Sequence, residues 1–365
     1  MERSILFIER IFRRMKNFSQ KDLFNNINDK DLHYLEVTNN LEGYDKNYVI
    51  DIVFKYFRRN GFPHYKIEKG EKITQMNKLL RFNHLNLLDG DIITQSMHGL
   101  RLAWSYFPHF WEVKCGKSKY TPVDVFNDDK LFKKSIFKMY DYCIKYENGK
   151  MQMNRIRQLL KKYNGVQVVS NFRPTAAKLL YDLFGGNGVV WDMSSGWGGR
   201  LLGAYSTFKI KKYIGTEPST KTYQGLLKMV DDFKYLNKAI EIHHLGSEVF
   251  KPEKNSLDLC FTSPPYFDTE KYSDEDTQSY IKYPNEDDWL NGFMYDTLLN
   301  CKYGLKNNGY LVLNIANTKS AQNIEKGLLD LANKIGFKYI KTMQLTLSAI
   351  NGAGYKYEPI YIFKI

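Results

Sequence analysis

From Arg173 onward the chain alternates helical and strand-like segments, and that alternation limits the fold more than any other feature. Arg173-Pro174-Thr175 opens a helix that runs through Phe184 and is closed by Gly185-Gly186. Proline suits the first helical turn, where its missing N–H has no partner to lose, and glycine suits the stop. Short apolar runs follow at Gly188–Asp192, Lys212–Glu217, Ile240–Leu245 and Leu257–Thr262, with helical stretches from Gly198 and over Thr220–Tyr235 between them. A helix over Trp289–Tyr303, a strand over Gly309–Ile315, a helix over Asn323–Ile335 and two closing strands, Phe337–Leu345 and Glu358–Ile365, complete the pattern. Apolar strands separated by helices predict an α/β fold, a mostly parallel sheet covered on both faces, with the closing strands paired. Such sheets bind ligands beyond the C-terminal ends of their strands.

Three of those strand ends carry chemistry. Between the first strand and its helix lies Asp192-Met193-Ser194-Ser195-Gly196-Trp197-Gly198-Gly199-Arg200. Its glycines let the backbone approach a ligand, and the helix start supplies free N–H donors. Alone, such a loop is also compatible with a dinucleotide site or an empty turn. Glu217 ends the second strand, where an acid can accept both hydroxyls of a ribose. The fourth strand runs into Phe261-Thr262-Ser263-Pro264-Pro265-Tyr266-Phe267. Two prolines fix two φ angles and stop the ladder, and Ser263 before them is held extended. This stiff corner displays the Ser263 hydroxyl, the Pro264 carbonyl and the Tyr266 ring. Two acceptors beside a flat ring suit an exocyclic amine on a flat heterocycle.

Ser263-Pro264-Pro265-Tyr266 resembles the catalytic motif of the S-adenosylmethionine-dependent amino-methyltransferases of DNA, which methylate the 4-amino group of cytosine or the 6-amino group of adenine. Asp192-x-x-x-Gly196-x-Gly198 is similar to the first cofactor motif of S-adenosylmethionine enzymes, in which a carboxylate favours the cationic donor. The resemblance implies a Rossmann-like methyltransferase fold with a terminal antiparallel strand. It implies S-adenosylmethionine held by Asp192, Ser194, Gly196, Gly198 and Glu217, with Ser263 facing it. Gly246-Ser247-Glu248 resembles the segment at the adenine edge, the choice between Ser247 and Glu248 staying open. Asn171-Phe172-Arg173-Pro174-Thr175 resembles the segment that closes over the methionine end, so Phe172, Arg173 and Thr175 join the set, although Arg173 could instead contact DNA. The resemblance covers about residues 170–365. Asp192→Ala and Glu217→Ala are expected to weaken cofactor binding and leave the fold intact.

The first half resembles no family. Residues 1–165 hold 30 Lys and Arg against 19 Asp and Glu, +11 of the chain's +13. A basic module beside a near-neutral one suggests a polyanion partner, and a soluble basic domain without one is the plainer alternative. A mainly helical domain is expected over 1–165, with helices at Tyr48–Arg59, after Asn127-Asp128-Asp129 and over Met151–Tyr163, and a boundary at Asn164-Gly165 before a catalytic domain over 166–365. The aromatic patch from Met97 to Trp111 reads first as core and second as a surface for stacking on bases. The four cysteines are scattered, so neither a disulfide framework nor a metal site is expected, and a reduced cytoplasmic protein is the default. No apolar run is long enough to cross a membrane, and Met1–Arg10 is too short and acidic for a signal peptide.

Together these features point to a DNA methyltransferase that flips its target base, with cytosine N4 favoured by the serine. Adenine N6, an RNA substrate and a protein side-chain amide follow as alternatives. A cofactor fold without activity is a fourth, and the complete set of motifs argues against it. Target sequence, oligomeric state and any restriction partner are left open.

Overall fold

The structure, a computed structural model, describes residues 45–149, 155–350 and 354–365, with two short paired strands, Phe24–Asn25 and Glu36–Val37, before them. The signal-peptide reading of Met1–Arg10 and the first turn of the helix expected from Met151 lie outside the described residues.

The chain divides into two compact units, one made of residues 1–67 and 117–168 and the other of 68–116 and 169–365. One border between the units falls between residues 168 and 169, and residues 68–116 cluster with the second unit. Their aromatic patch explains this. Phe107 and Phe110 set their rings 5.7 and 5.2 Å from Trp197, which lies in the glycine-rich loop. The patch is core, and the core it fills is that of the second unit.

In the first unit, helices Lys46–Asn60, Asp129–Tyr146 and Ile156–Lys162 share one apolar cluster. Val49, Val53 and Phe57 bury one face of the first helix, and Phe132, Ile136, Met139 and Cys143 one face of the second. Each row follows the three-to-four-residue spacing of a helix with one wet side. Asp45 and Asp128 cap these two helices by accepting from backbone N–H groups. Lys130, Lys133, Lys134 and Lys145 stay exposed on the second. This unit holds 24 Lys and Arg against 14 Asp and Glu, so +10 of the chain's +13 remains with it after the reassignment.

The second unit is built on a nine-stranded sheet: β1 (Leu88–Asp89), β2 (Ile92–Ile93), β3 (Val189–Asp192), β4 (Lys212–Thr216), β5 (Ala239–His243), β6 (Leu257–Thr262), β7 (Leu305–Asn314), β8 (Lys338–Ile350) and β9 (Gly354–Lys364). Their order across the sheet is β1-β2-β8-β9-β7-β6-β3-β4-β5. Strands β3 to β7 pair in parallel, whereas β9 runs antiparallel to both β7 and β8. This is the expected Rossmann-like methyltransferase fold, its closing strands paired and longer than the sequence pattern suggests. Strand β6 is central and apolar on both faces; its one acid, Asp258, accepts the N–H of Val189 at 2.8 Å and pairs with Lys306 at 2.8 Å. Helix Lys69–Arg81 and the β1–β2 hairpin are among the elements that were not legible in the sequence. Helix Lys69–Arg81 buries only Met76 and Leu79, and the β1–β2 hairpin has two residues per strand, so neither shows a clear period.

Candidate active site

One cleft, with about 1190 Å³ of empty space including its mouth, opens at the C-terminal ends of β3, β4, β5 and β6. Phe172, Arg173, Ser194, Gly196, Glu217, Ser247, Glu248, Ser263, Pro264, Pro265 and Tyr266 all line it. Thr175, Asp192 and Gly198 do not.

Asp192 is the correction with the largest consequence. Its carboxylate is fully buried and is held by the Arg200 guanidinium, Nε lying 3.0 and 2.9 Å from its two oxygens, and by the Tyr213 hydroxyl at 2.6 Å. Arg200 stands in the first turn of the helix Gly199–Ser206, and it also donates to the Ser194 carbonyl. The aspartate therefore fixes the loop from behind. A neighbouring strand and the following helix claim the charge that the motif suggests for a ligand. Thr175 is buried in the helix Pro174–Phe184, and Gly198 sits at φ +69° against Met229 and Phe107.

The loop approaches the 171–173 segment so closely that Gly199 admits no side chain: a Cβ there would lie 1.9 Å from the Phe172 carbonyl oxygen. Asn171 closes the contact by donating to the Trp197 carbonyl at 3.0 Å. Glu217 faces the cleft from the end of β4 and accepts the N–H groups of Gly196 at 3.0 Å and Ser219 at 2.9 Å. Burial pushes its acid up to about 7, against the pull of those two donors.

At the third loop the two candidates differ in their partners. The Ser247 hydroxyl is engaged with Thr297 at 2.8 Å, whereas Glu248 pairs with Lys282 at 2.8 Å and keeps its second oxygen, Oε2, buried without a partner. Arg173 donates to the Leu347 carbonyl at 3.1 Å, and its buried Nε has no acceptor among the described residues. A guanidinium and two carboxylates, those of Arg173, Glu217 and Glu248, thus stand at three points of one cleft.

The proline corner stands at the other side of the cleft. No described hydrogen bond falls on the Pro264 carbonyl, whereas Pro265 accepts the N–H of Phe267 in a tight turn with Phe267 at φ +55°. The Ser263 hydroxyl donates to the Tyr266 hydroxyl at 3.4 Å, and the Tyr266 hydroxyl donates to the Asn314 carbonyl at 3.2 Å. A carbonyl can only accept, so the direction of this chain is fixed. The Ser263 hydroxyl hydrogen is thereby committed to Tyr266, at the wall of the cleft.

Sequence reasoning missed the rest of this wall. Tyr272, Thr277, Gln278, Ser279 and Tyr280 come from the segment between the corner and the helix at Tyr295, and Glu270 and Glu358 from strands beside it. Glu275 of that segment anchors it on the helix Thr220–Phe233 by accepting from the Thr220 N–H and hydroxyl. Its polar, aperiodic composition gave no sign of a position in space. Among the described residues there is no metal-binding group of three or more His, Cys, Asp or Glu side chains, and no helix is long and apolar enough to cross a membrane.

No family model matches the chain, and no characterised protein matches it in sequence. Among solved structures it is similar to the [4+2]-cyclase SpnF, at 12% identity over 47% of this chain and 61% of that one, TM-score 0.36. It is also similar to an S-adenosylmethionine-dependent methyltransferase of Methanosarcina mazei, at 10% identity over 51% and 96%, TM-score 0.35. A third is Haemonchus contortus phosphoethanolamine N-methyltransferase 2 in complex with S-adenosyl-L-methionine, at 14% identity over 52% of each chain, TM-score 0.36. The matched part spans less than two thirds of the first and third of these proteins. The fold itself rests on the strand order above.

Proposed function

We propose that the protein is an S-adenosylmethionine-dependent methyltransferase acting on the exocyclic amine of a base flipped out of DNA, with the 4-amino group of cytosine as the favoured target. The observation that carries this reading is that Ser263, Pro264 and Tyr266 open into the same cleft as Glu217, Arg173 and the Ser194–Gly196 loop. Bound there, the cofactor would supply an activated methyl group. Arg173 would hold its carboxylate, Glu217 its ribose hydroxyls, and Glu248 its adenine edge.

An aromatic amine is a poor nucleophile because its lone pair is delocalised into the ring. Ser263 Oγ and the Pro264 carbonyl accept its two protons and draw the lone pair onto nitrogen, while the Tyr266 ring holds the base by stacking. Positioning and electrostatic stabilisation of this kind are the main catalytic terms when the donor is already reactive. A base within a duplex cannot reach the corner and must be extruded. The +10 charge of the first unit supports a nucleic-acid partner. The test is transfer of tritiated methyl from S-adenosylmethionine to DNA, RNA and protein, with nucleoside analysis of the product. Label in N4-methylcytosine supports the reading. Label in N6-methyladenine moves the target to adenine, and label only in RNA or protein removes DNA as the substrate.

A further inference from the structure

Four glutamates line the cleft, and they are not alike. Glu217 is engaged by two N–H groups and Glu248 by Lys282. Glu270 and Glu358 form no ion pair among the described residues, although both are partly buried. Glu270 sits in the short strand Glu270–Lys271, paired with Lys114–Cys115, and its Oε2 is buried without a hydrogen-bond donor. Glu358 lies on β9 opposite Leu345, which also lines the cleft, and it faces the Tyr266 hydroxyl and the Asn314 side chain. Glu270, Glu358 and Tyr266 all line the same cleft. Holding two partly buried acids that form no direct ion pair in one cleft is costly, and such arrangements concentrate at functional sites.

We propose that Glu358 and Glu270 are the proton acceptor of the methyl transfer, a carboxylate pair that takes the hydrogen the target amine must lose. This rests on the amine-methylation reading above and adds a step to it. When the amine nitrogen bonds to the methyl carbon, the carbon–sulfur bond breaks and its electron pair stays on sulfur. The positive charge passes to the nitrogen, which then carries the methyl group and both of its hydrogens. One N–H bond breaks, its pair returns to nitrogen, and the proton goes to the Glu358–Glu270 pair, which loses one unit of negative charge. Ser263 and the Pro264 carbonyl orient the hydrogens but have no charge with which to keep one. The surroundings suit the pair to the task. Burial, then the neighbouring Glu358, push Glu270 up to about 7, and burial raises Glu358 despite Tyr266, Asn314, Lys356 and Arg173 nearby. A second carboxylate in the same cleft raises the proton affinity of the first.

The test uses the full-length protein and the variants Glu270→Gln, Glu358→Gln and both together. The double variant should bind S-adenosylhomocysteine within about threefold of wild type by calorimetry, yet turn over roughly 100-fold more slowly, the usual loss on removing a positioned base. The wild-type rate should rise with pH through the neutral range, and the double variant should lose that rise. Wild-type turnover with an unchanged pH profile in the double variant overturns the proposal. A second measurement needs neither substrate nor a glutamine at these positions. In the Glu217→Gln background, infrared spectra of protein labelled with carbon-13 at glutamate should show a protonated carboxyl that titrates near neutrality. If every glutamate is ionised well below that range, the pair is not a proton acceptor. A protein that methylates no nucleic acid but shows this band loses the proposed substrate and keeps the pair.

Discussion

At the scale of single residues, two acids expected to do the same work have different roles. Asp192→Ala strands the buried Arg200 guanidinium, and breaking a buried pair from one side costs about 3–5 kcal/mol. The variant should therefore show a lowered melting temperature before any effect on affinity can be read, and an unchanged melting curve would refute the assignment. Glu217→Gln, by contrast, should keep the fold and weaken S-adenosylhomocysteine binding about 10–100-fold, the worth of a hydrogen bond to a charged acceptor. Because the Glu217 acid is raised to about 7, binding should tighten as pH rises through that value and the carboxylate forms, and the Gln variant should lose this dependence in calorimetry across pH. Stability runs the other way. A carboxyl raised in the folded state contributes fully below its unfolded range and loses that contribution as pH climbs through about 7. The unliganded protein should thus melt lower at alkaline than at mildly acidic pH. At the corner, stacking is worth about 1–3 kcal/mol, so Tyr266→Ala should cut methyl transfer severely. Tyr266→Phe should keep most of it, losing the hydroxyl that bonds the Asn314 carbonyl and Ser263 but keeping the ring. Ser263→Ala should lower the rate with little change in cofactor affinity. Wild-type transfer by both alanine variants would reduce the motif to a strand-ending turn.

Between residue and molecule, the element that sets the cleft is the turn joining β3 to the helix Gly199–Ser206. Its shape depends on the close approach of Gly199 to the Phe172 carbonyl, with Asn171 bonded across the gap. Gly199→Ala would place a methyl at 1.9 Å from that oxygen, so the loop or the 171–173 segment has to move. Cofactor affinity should fall at least tenfold while helix content is kept, measured by calorimetry and circular dichroism. Equal affinity would mean that the approach is not needed. The segment from Asp268 to Asp288 is polar and aperiodic in sequence. In the fold it supplies a wall of the cleft, held down by Glu275 on the start of the helix Thr220–Phe233.

Across the whole molecule, charge and fold are divided between two units whose borders do not follow a single cut in the chain. A fragment beginning at residue 166 would lack Phe107 and Phe110, which pack on Trp197 of the glycine-rich loop, so it is no test of where nucleic acid binds. Charge reversal on the intact chain is the better probe. Lys130, Lys133 and Lys145 are exposed on the helix Asp129–Tyr146, away from its apolar face. Changing all three to Glu should weaken DNA binding and flatten its salt dependence by about 0.9 in the logarithmic slope for each phosphate that is no longer neutralised. S-adenosylhomocysteine affinity should stay as it was. An unaltered salt slope would separate this helix from the polyanion.

The sequence by itself determined the order of strands and helices after Gly165, the glycine-rich loop, the acidic end of β4 and the proline corner. Each of these is local: an apolar run, a pair of prolines and a glycine stop act within a few residues of themselves. Tertiary structure decided which of these groups share a cleft. It turned Asp192 inward, because Arg200 and Tyr213 reach it from other elements, and it tied the Ser263 hydroxyl into a chain through Tyr266 that ends on the Asn314 carbonyl. It brought Glu270 and Glu358 to the same corner from segments nearly ninety residues apart, with nothing in either segment marking the meeting. The partner of a buried charge is set by packing between elements, and packing is the part of the fold that local pattern does not encode.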